Sequence, residues 1–81
     1  MKTVCVLGGN GFIGHHLARS LRNDGCWVRT VDINEYMYGK IDYTDDYVIG
    51  DCRMKEVVYS ALLKDGKSVD EVYVMASWMG G

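Results

Sequence analysis

Three glycines at intervals of three stand between two apolar segments near the start of the chain. They are Gly8, Gly11 and Gly14 in the stretch Gly8-Gly-Asn-Gly-Phe-Ile-Gly14, which also satisfies the pattern G-x-G-x-x-G through Gly9. Glycines allow a tight turn, a bare backbone that a ligand can approach, and close packing of a helix on a strand. A helix beginning here presents unpaired N–H groups and a partial positive charge. The spacing therefore predicts a loop that binds a pyrophosphate, although a glycine cluster alone can be a flexible turn.

A carboxylate follows at the distance expected for a second contact with a dinucleotide. Asp32 lies 18 residues beyond Gly14, at the end of another apolar segment. In dinucleotide-binding folds an acidic residue at an offset of about 20 residues binds the adenosine ribose. The carboxylate would repel a 2′-phosphate, and Ile33 and Asn34 supply no arginine to receive one. These residues predict NAD as the cofactor; alternatively, Asp32 only ends a strand and starts a turn.

Strands and helices alternate around these residues. Ile13, Leu17 and Leu21 recur every fourth residue, which predicts an amphipathic helix from Gly11 that stops at Gly25. A second helix is predicted over 54–64, with Gly66 as its stop. Apolar, β-branched segments predict strands at 3–7, 26–32, 47–51 and 71–76, and residues 33–46 are predicted to be irregular.

This alternation predicts an α/β fold of Rossmann type, with a parallel sheet in the partial strand order 3-2-1-4 and flanking helices. The chain has 81 residues, 48% of them hydrophobic, which allows one domain at most. The fourth strand would then have an exposed edge, which favours self-association.

Composition excludes several function classes. The net charge is -2 and no basic run is present, so neither nucleic acid nor a membrane surface is indicated as a partner. The three cysteines, Cys5, Cys26 and Cys52, are an odd number and stand far apart, which argues against disulfides and metal sites. His15 and His16 are adjacent on a helix and cannot bind one metal from one face, so we expect surface or loop-packing roles. Without a signal or membrane segment, the expected location is the cytoplasm.

Taken together, the sequence resembles the extended branch of the short-chain dehydrogenase/reductase superfamily, the NAD-dependent epimerases and dehydratases of nucleotide-sugars. The resemblance is carried by three segments, 6–14, 50–53 and 74–81, and by Asp32. Within this branch the ending Ala76-Ser-Trp-Met-Gly-Gly81 is most similar to the GDP-mannose 3,5-epimerases. Leu7 departs from the family's usual threonine, and Ser77 and Trp78 depart from its usual alanine and aspartate, which leaves the sugar less defined than the cofactor.

The resemblance implies a role for each matching residue. Gly8, Gly11 and Gly14 would hold the pyrophosphate, and Phe12 and Ile13 at the helix start would also contact the cofactor. Asp32 would hold the adenosine ribose. The remaining residues would contact the adenine (Asp51 and Cys52), the nicotinamide half (Ala76) and the sugar (Met79, Gly80 and Gly81). Simpler interpretations are that Asp51 caps the following helix and that Trp78 and Met79 are core or interface residues.

The resemblance implies that residues 1–81 form the N-terminal part of a single NAD(P)-binding Rossmann domain. The family's catalytic Tyr-x-x-x-Lys pair lies on a later helix, and the resemblance implies that this pair and most of the sugar-binding part lie beyond Gly81. Tyr36 and Lys40 match the spacing, but in a segment predicted to be a loop, so we interpret the match as chance. Three functions therefore remain open: an NAD-binding part of an epimerase or dehydratase without catalysis of its own, a stand-alone nucleotide-binding module, and a non-catalytic interaction module.

Overall fold

A parallel sheet with one helix on each face makes up most of the described chain. The computed structural model describes residues 1–75. Its elements in chain order are β1 (Thr3–Leu7), α1 (Phe12–Asn23), β2 (Trp27–Asp32), β3 (Asp46–Ile49), α2 (Lys55–Ala61), β4 (Leu63–Lys64), β5 (Lys67–Ser68) and β6 (Glu71–Val74). The sheet has the order β3-β2-β1-β6, and every neighbouring pair is parallel. This is the predicted order 3-2-1-4, because β6 is the fourth strand of the sheet.

The region after α2 differs from the sequence prediction. The expected helix over 54–64 ends at Ala61, and β4 and β5 then form a short antiparallel hairpin. Asp65 and Gly66, at the turn of this hairpin, have φ of 53° and 79°. Two successive residues with positive φ form the tight turn that joins two antiparallel strands. Gly66 therefore closes a hairpin and does not stop a helix.

Side chains alternate between the two faces of the sheet, as the pleat requires. Val4, Val6 and Val28 are completely buried on the face that α1 covers, with Ala18 and Tyr43. The opposite face, covered by α2, buries Cys5, Leu7, Val31 and Ala61. Residues 33–45 form no helix or strand, but Tyr43 belongs to this segment and anchors it in the first cluster.

The α2 face is covered only in part. Val72 and Val74 pair with Cys5 and Leu7 and so share their face, yet they are 42% and 56% exposed. No strand in residues 1–75 pairs with the outer edge of β6. Apolar side chains and unpaired backbone groups are therefore exposed together at this side of the sheet. Neither helix within residues 1–75 combines the length and the apolar character that a membrane span requires.

Candidate functional site

The predicted glycine loop joins the carboxyl end of β1 to the start of α1. Gly8 has a φ of 88°, a conformation that favours glycine, and its amide donates a 2.6 Å hydrogen bond to the carbonyl of Val31. A Cβ on Gly14 would overlap the carbonyl oxygen of Gly8 and lie 3.0 Å from the Cα of Gly9. The first turn of α1 thus packs directly on the loop, and any larger residue at position 14 would force the two apart.

The remaining glycines of the loop have different reasons to lack a side chain. A Cβ on Gly9 would lie 2.5 Å from Cγ2 of Thr30, so Gly9 is required for packing against β2. A Cβ on Gly11 would lie 3.7 Å from the carbonyl oxygen of Gly8, which is ordinary contact distance. The fold itself therefore does not require a glycine at position 11.

The N-terminus of α1 is open to an anion. Gly11 is its N-cap, no side chain caps the helix, and no acidic residue lies in its first turn. Phe12 and Ile13, the first two residues of α1, are 57% and 64% exposed, so this end of the helix is accessible to solvent. Unpaired N–H groups and the partial positive charge of the helix would stabilise a phosphate here.

Asp32 ends β2 beside this loop. Its Oδ2 accepts a 3.1 Å hydrogen bond from the backbone N–H of Asn10, and its Oδ1 accepts one of 3.0 Å from the N–H of Asn34. An ionised carboxylate has about four acceptor positions, so two remain for hydroxyl groups of a ligand. The structure therefore brings together the glycine loop and the acidic residue that the sequence singled out.

The side chain of Asn10 is buried and connects the glycine loop to the segment after β2, which the sequence analysis does not predict. It is only 3% exposed; its Oδ1 accepts a 2.7 Å hydrogen bond from the Tyr43 hydroxyl, and its Nδ2 donates one of 2.7 Å to the carbonyl of Asn34. Burial raises the pKa of Tyr43, so its hydroxyl stays protonated and able to donate. A polar residue inside a glycine cluster was the available signal, but its partner 33 residues away was not predictable from spacing.

Asp51 and Cys52 follow β3 at the same edge of the sheet. Cys52 Sγ lies 3.8 Å from the carbonyl oxygen of Val31, which also accepts the Gly8 amide, and burial raises the pKa of this thiol. Asp51 accepts hydrogen bonds from the backbone N–H and the guanidinium of Arg53, which lower its pKa. Asp51 is not the cap of α2, because Met54 is the N-cap. Its predicted adenine contact is untested.

His15 packs against the segment that follows β2. It is 4% exposed, and its Nδ1 lies 2.9 Å from the carbonyl oxygen of Gly11; because a carbonyl only accepts, Nδ1 must carry the proton. Its ring stacks on Tyr38 with 5.4 Å between ring centroids. Of the two roles expected for the histidines, His15 therefore has the loop-packing one.

The Tyr-x-x-x-Lys spacing of Tyr36 and Lys40 lies within the irregular segment. Tyr36 donates its amide to the Tyr47 hydroxyl at 3.0 Å, and its ring packs on Tyr43 with 4.5 Å between centroids. Lys40 is exposed. Because the segment is not helical, the spacing does not put the two side chains on one face, as it would in a helix.

On the side of β6, the described part of the candidate site ends at Met75. The Met75 amide donates a 2.7 Å hydrogen bond to the carbonyl of Leu7, which brings the end of β6 beside the glycine loop. Four residues predicted to contact the cofactor or the sugar lie outside the described residues: Ala76, Met79, Gly80 and Gly81. Within residues 1–75, no group of three His, Cys, Asp or Glu side chains could hold a metal ion.

Known proteins match the chain over almost all of its length. It is 34% identical over 80 residues to GDP-mannose 3,5-epimerase of Arabidopsis thaliana and 33% identical over 81 residues to GDP-mannose 3,5-epimerase 1 of Oryza sativa subsp. indica. Each alignment covers 96% of the chain but 20% of the relative, so the chain spans about a fifth of the length of these curated relatives.

A solved structure supports the fold independently. It is that of a Rossmann-fold NAD(P)-binding family protein from Shigella flexneri, with a TM-score of 0.75 and 18% identity, over 98% of this chain and 39% of that one. At this identity the likeness concerns the fold alone. The family model described as NAD dependent epimerase/dehydratase family matches residues 4–81. The chain therefore belongs to the NAD dependent epimerase/dehydratase family.

Proposed function

We propose that the chain binds NAD at the carboxyl edge of its sheet and forms the N-terminal, cofactor-binding part of a nucleotide-sugar epimerase or dehydratase. Membership of the NAD dependent epimerase/dehydratase family supports the cofactor. The two curated relatives named above, both GDP-mannose 3,5-epimerases, support a GDP-sugar as the substrate class. Residues 1–81 would belong to one cofactor-binding domain.

The hydrogen bond between the Asn10 N–H and Asp32 Oδ2 is the observation that carries this proposal. It fixes an acidic group, which can bind ribose hydroxyls, beside an uncapped helix N-terminus, which can bind a diphosphate. These two groups are the chemical features by which an adenosine diphosphate is recognised. Both lie at the carboxyl ends of parallel strands, where ligands bind in open α/β sheets.

The described residues fit this cofactor. The absence of a side chain at Gly11, which packing does not require, leaves the backbone open to the diphosphate. No acidic residue in the first turn of α1 would repel its charge, and two acceptor positions of Asp32 remain available to the ribose. When bound, NAD supplies a nicotinamide ring that accepts and returns a hydride. The chain's own residues bind and orient its adenosine half.

The finer contacts are part of the same proposal. The Asp32 carboxylate would disfavour a 2′-phosphate and so select NAD over NADP. Asp51 and Cys52 would contact the adenine. In support, the thiol of Cys52 and the amide of Gly8 both face the carbonyl oxygen of Val31, which places Cys52 next to the glycine loop. Ala76 would border the nicotinamide half, and Met79, Gly80 and Gly81 would contact the sugar. Catalysis would require residues that are not among these 81.

The exposed side of the sheet favours one alternative function. An unpaired strand edge with apolar neighbours, such as β6 with Val72 and Val74, is a surface on which another chain can pair. An interaction module that has kept the fold would use this surface and would have no need of NAD. NAD binding therefore distinguishes the two functions.

Titration with NAD, followed by the NMR chemical shifts of the backbone amides, tests the proposal and also locates the site. We expect the amides of the glycine loop, Asp32 and Cys52 to shift saturably, because these groups would contact the cofactor. The hairpin of β4 and β5, which lies after α2 and away from the carboxyl edge, supplies the internal control and should not shift. Absence of saturable shifts, or shifts centred on the hairpin, would reject the proposed function.

A further inference from the structure

The side chains of Asn10 and Tyr43 join the glycine loop, which would contact the diphosphate, to the irregular segment that follows Asp32. Asn10 lies in the glycine loop, and Tyr43 lies in the irregular segment that follows Asp32. Both are buried, at 3% and 0% exposure, and the hydroxyl of Tyr43 lies 2.7 Å from Oδ1 of Asn10. A buried polar pair of this kind is costly to leave unpaired, so its geometry is strongly defined.

Hydrogen-bond chemistry fixes the orientation of both groups. The carbonyl of Asn34 can only accept, so the group of Asn10 that faces it at 2.7 Å must be Nδ2. Oδ1 then faces Tyr43, and the phenol must donate. The backbone N–H of Asn10 meanwhile donates to Asp32. One residue thus links the glycine loop to Asp32, to Asn34 and to Tyr43.

The position of Tyr43 is itself fixed by its sequence neighbours. Arg19 of α1 contacts Asp42 at 2.7 Å, and Arg22 contacts Asp45 at 3.0 Å. Asp45 also accepts the amide of Val28 at 2.8 Å. The segment is therefore fastened to α1 and β2 on both sides of Tyr43, and the phenol extends from this fixed position to Asn10.

We infer that Asn10 and Tyr43 are positioning residues for the dinucleotide site, because their hydrogen bond holds the glycine loop in register with the Asp32 carboxylate before the ligand arrives. The inference rests on the proposed function, since it concerns the ligand that these groups would receive. Preorganisation of this kind raises affinity because less freedom is lost on binding. Neither residue need touch the cofactor to affect its affinity.

The substitution Tyr43→Phe tests this role because it removes one hydroxyl and keeps the ring in the core. In the free protein, we expect the substitution to make the amide hydrogens of Asn10 and Asn34, both bonded to Asp32, exchange with solvent about three- to tenfold faster than in the wild type. The amides between β1 and β2 serve as the internal reference. The dissociation constant for NAD should rise by a similar factor. General destabilisation would instead accelerate exchange in loop and strands alike.

Thr44→Val is the matched control. Thr44 is the next residue, and the carbonyl oxygens of Val28 and Asp46, each 3.0 Å away, share the one proton of its hydroxyl, which makes no hydrogen bond to the glycine loop. We expect Thr44→Val to lower the stability of the protein. The exchange rate of the Asn10 amide, relative to the amides between β1 and β2, and the affinity for NAD should stay unchanged. Equal effects of the two substitutions, or no effect of Tyr43→Phe, would overturn the inference. If the wild-type chain does not bind NAD, the proposed function fails, and the exchange comparison still decides whether Tyr43 orders the loop.

Discussion

The backbone of Gly14 packs so closely on the carbonyl of Gly8 that the Cβ of any other residue at position 14 would overlap it. This contact holds the start of α1 against the end of β1 and so places the helix N-terminus at the carboxyl edge of the sheet. Gly11 lies between the two, in the same loop, with 3.7 Å available to a Cβ. Packing therefore requires a glycine at position 14 but not at position 11, where the proposed site would use the free space for a ligand.

Gly14→Ala and Gly11→Ala should separate these roles. Alanine gains about 1 kcal/mol of helix propensity over glycine, but the clash at position 14 costs about 1–3 kcal/mol, so we expect Gly14→Ala to lower stability or prevent folding. Gly11→Ala should change stability by about 1 kcal/mol or less, yet weaken NAD binding, because its methyl group would enter the space left for the diphosphate. Thermal melts and titration calorimetry measure the two effects. Equal stability of the two variants would contradict the packing role of Gly14.

Cys5 should make the stability of the chain fall in alkaline solution. Burial raises the pKa of this thiol from 9.0 to about 11, against the smaller opposing effect of Arg29. The folded state then favours the protonated thiol, and this contribution is complete below pH 9 and lost as the pH rises from 9 to about 11. The loss amounts to roughly 2–3 kcal/mol.

Cys5→Ala is the variant that isolates this effect. It should be less stable at neutral pH, because it leaves a cavity, but it should lose less stability than the wild type between pH 9 and 11. Urea denaturation across this range gives the comparison. Parallel stability curves for the two proteins would show that Cys5 does not titrate as described.

The exposed edge of β6 should cause self-association. Val74 is 56% exposed beside an edge with no partner strand in residues 1–75. Charged side chains at strand edges oppose such pairing, so Val74→Lys should shift the chain toward the monomer. Met37→Lys is the control: Met37 is 85% exposed in the irregular segment, and its replacement makes a comparable change in charge and hydrophobicity. Light scattering that finds a wild-type monomer at high concentration would reject this prediction.

The 81-residue chain should bind NAD without catalytic turnover. Tyr36 and Lys40 have the spacing of the family's catalytic pair, but they lie in an irregular segment where Tyr36 packs on Tyr43. Incubation with NAD and GDP-, UDP- and dTDP-sugars, followed by chromatography of the products, tests this. Turnover that disappears in Tyr36→Phe would make that tyrosine catalytic and refute our interpretation.

The sequence predicts the sheet and the position of the glycine loop well because both depend on local patterns. Apolar β-branched segments and the glycine spacing lead to the parallel order and to the approach of the glycine loop to Asp32. The hairpin after α2 escapes prediction because Asp65 and Gly66 support either a helix end or a turn. The Asn10–Tyr43 bond also escapes, since a contact across 33 residues leaves no periodic signal. Burial of His15 depends on the path of the irregular segment, which composition does not define.

Calorimetric titration with NAD and NADP, on the wild type and on Asp32→Asn, tests the central claim most directly. Asp32 would bind the ribose and repel a 2′-phosphate, so the wild type should bind NAD at least about tenfold more tightly, equivalent to about 1.4 kcal/mol. Asp32→Asn should narrow this preference. Asp65→Asn is the control, because it removes an equally charged but 83% exposed side chain in the hairpin turn, and it should retain the full preference. Tighter binding of NADP by the wild type, or an unchanged preference in Asp32→Asn, would contradict the proposed site.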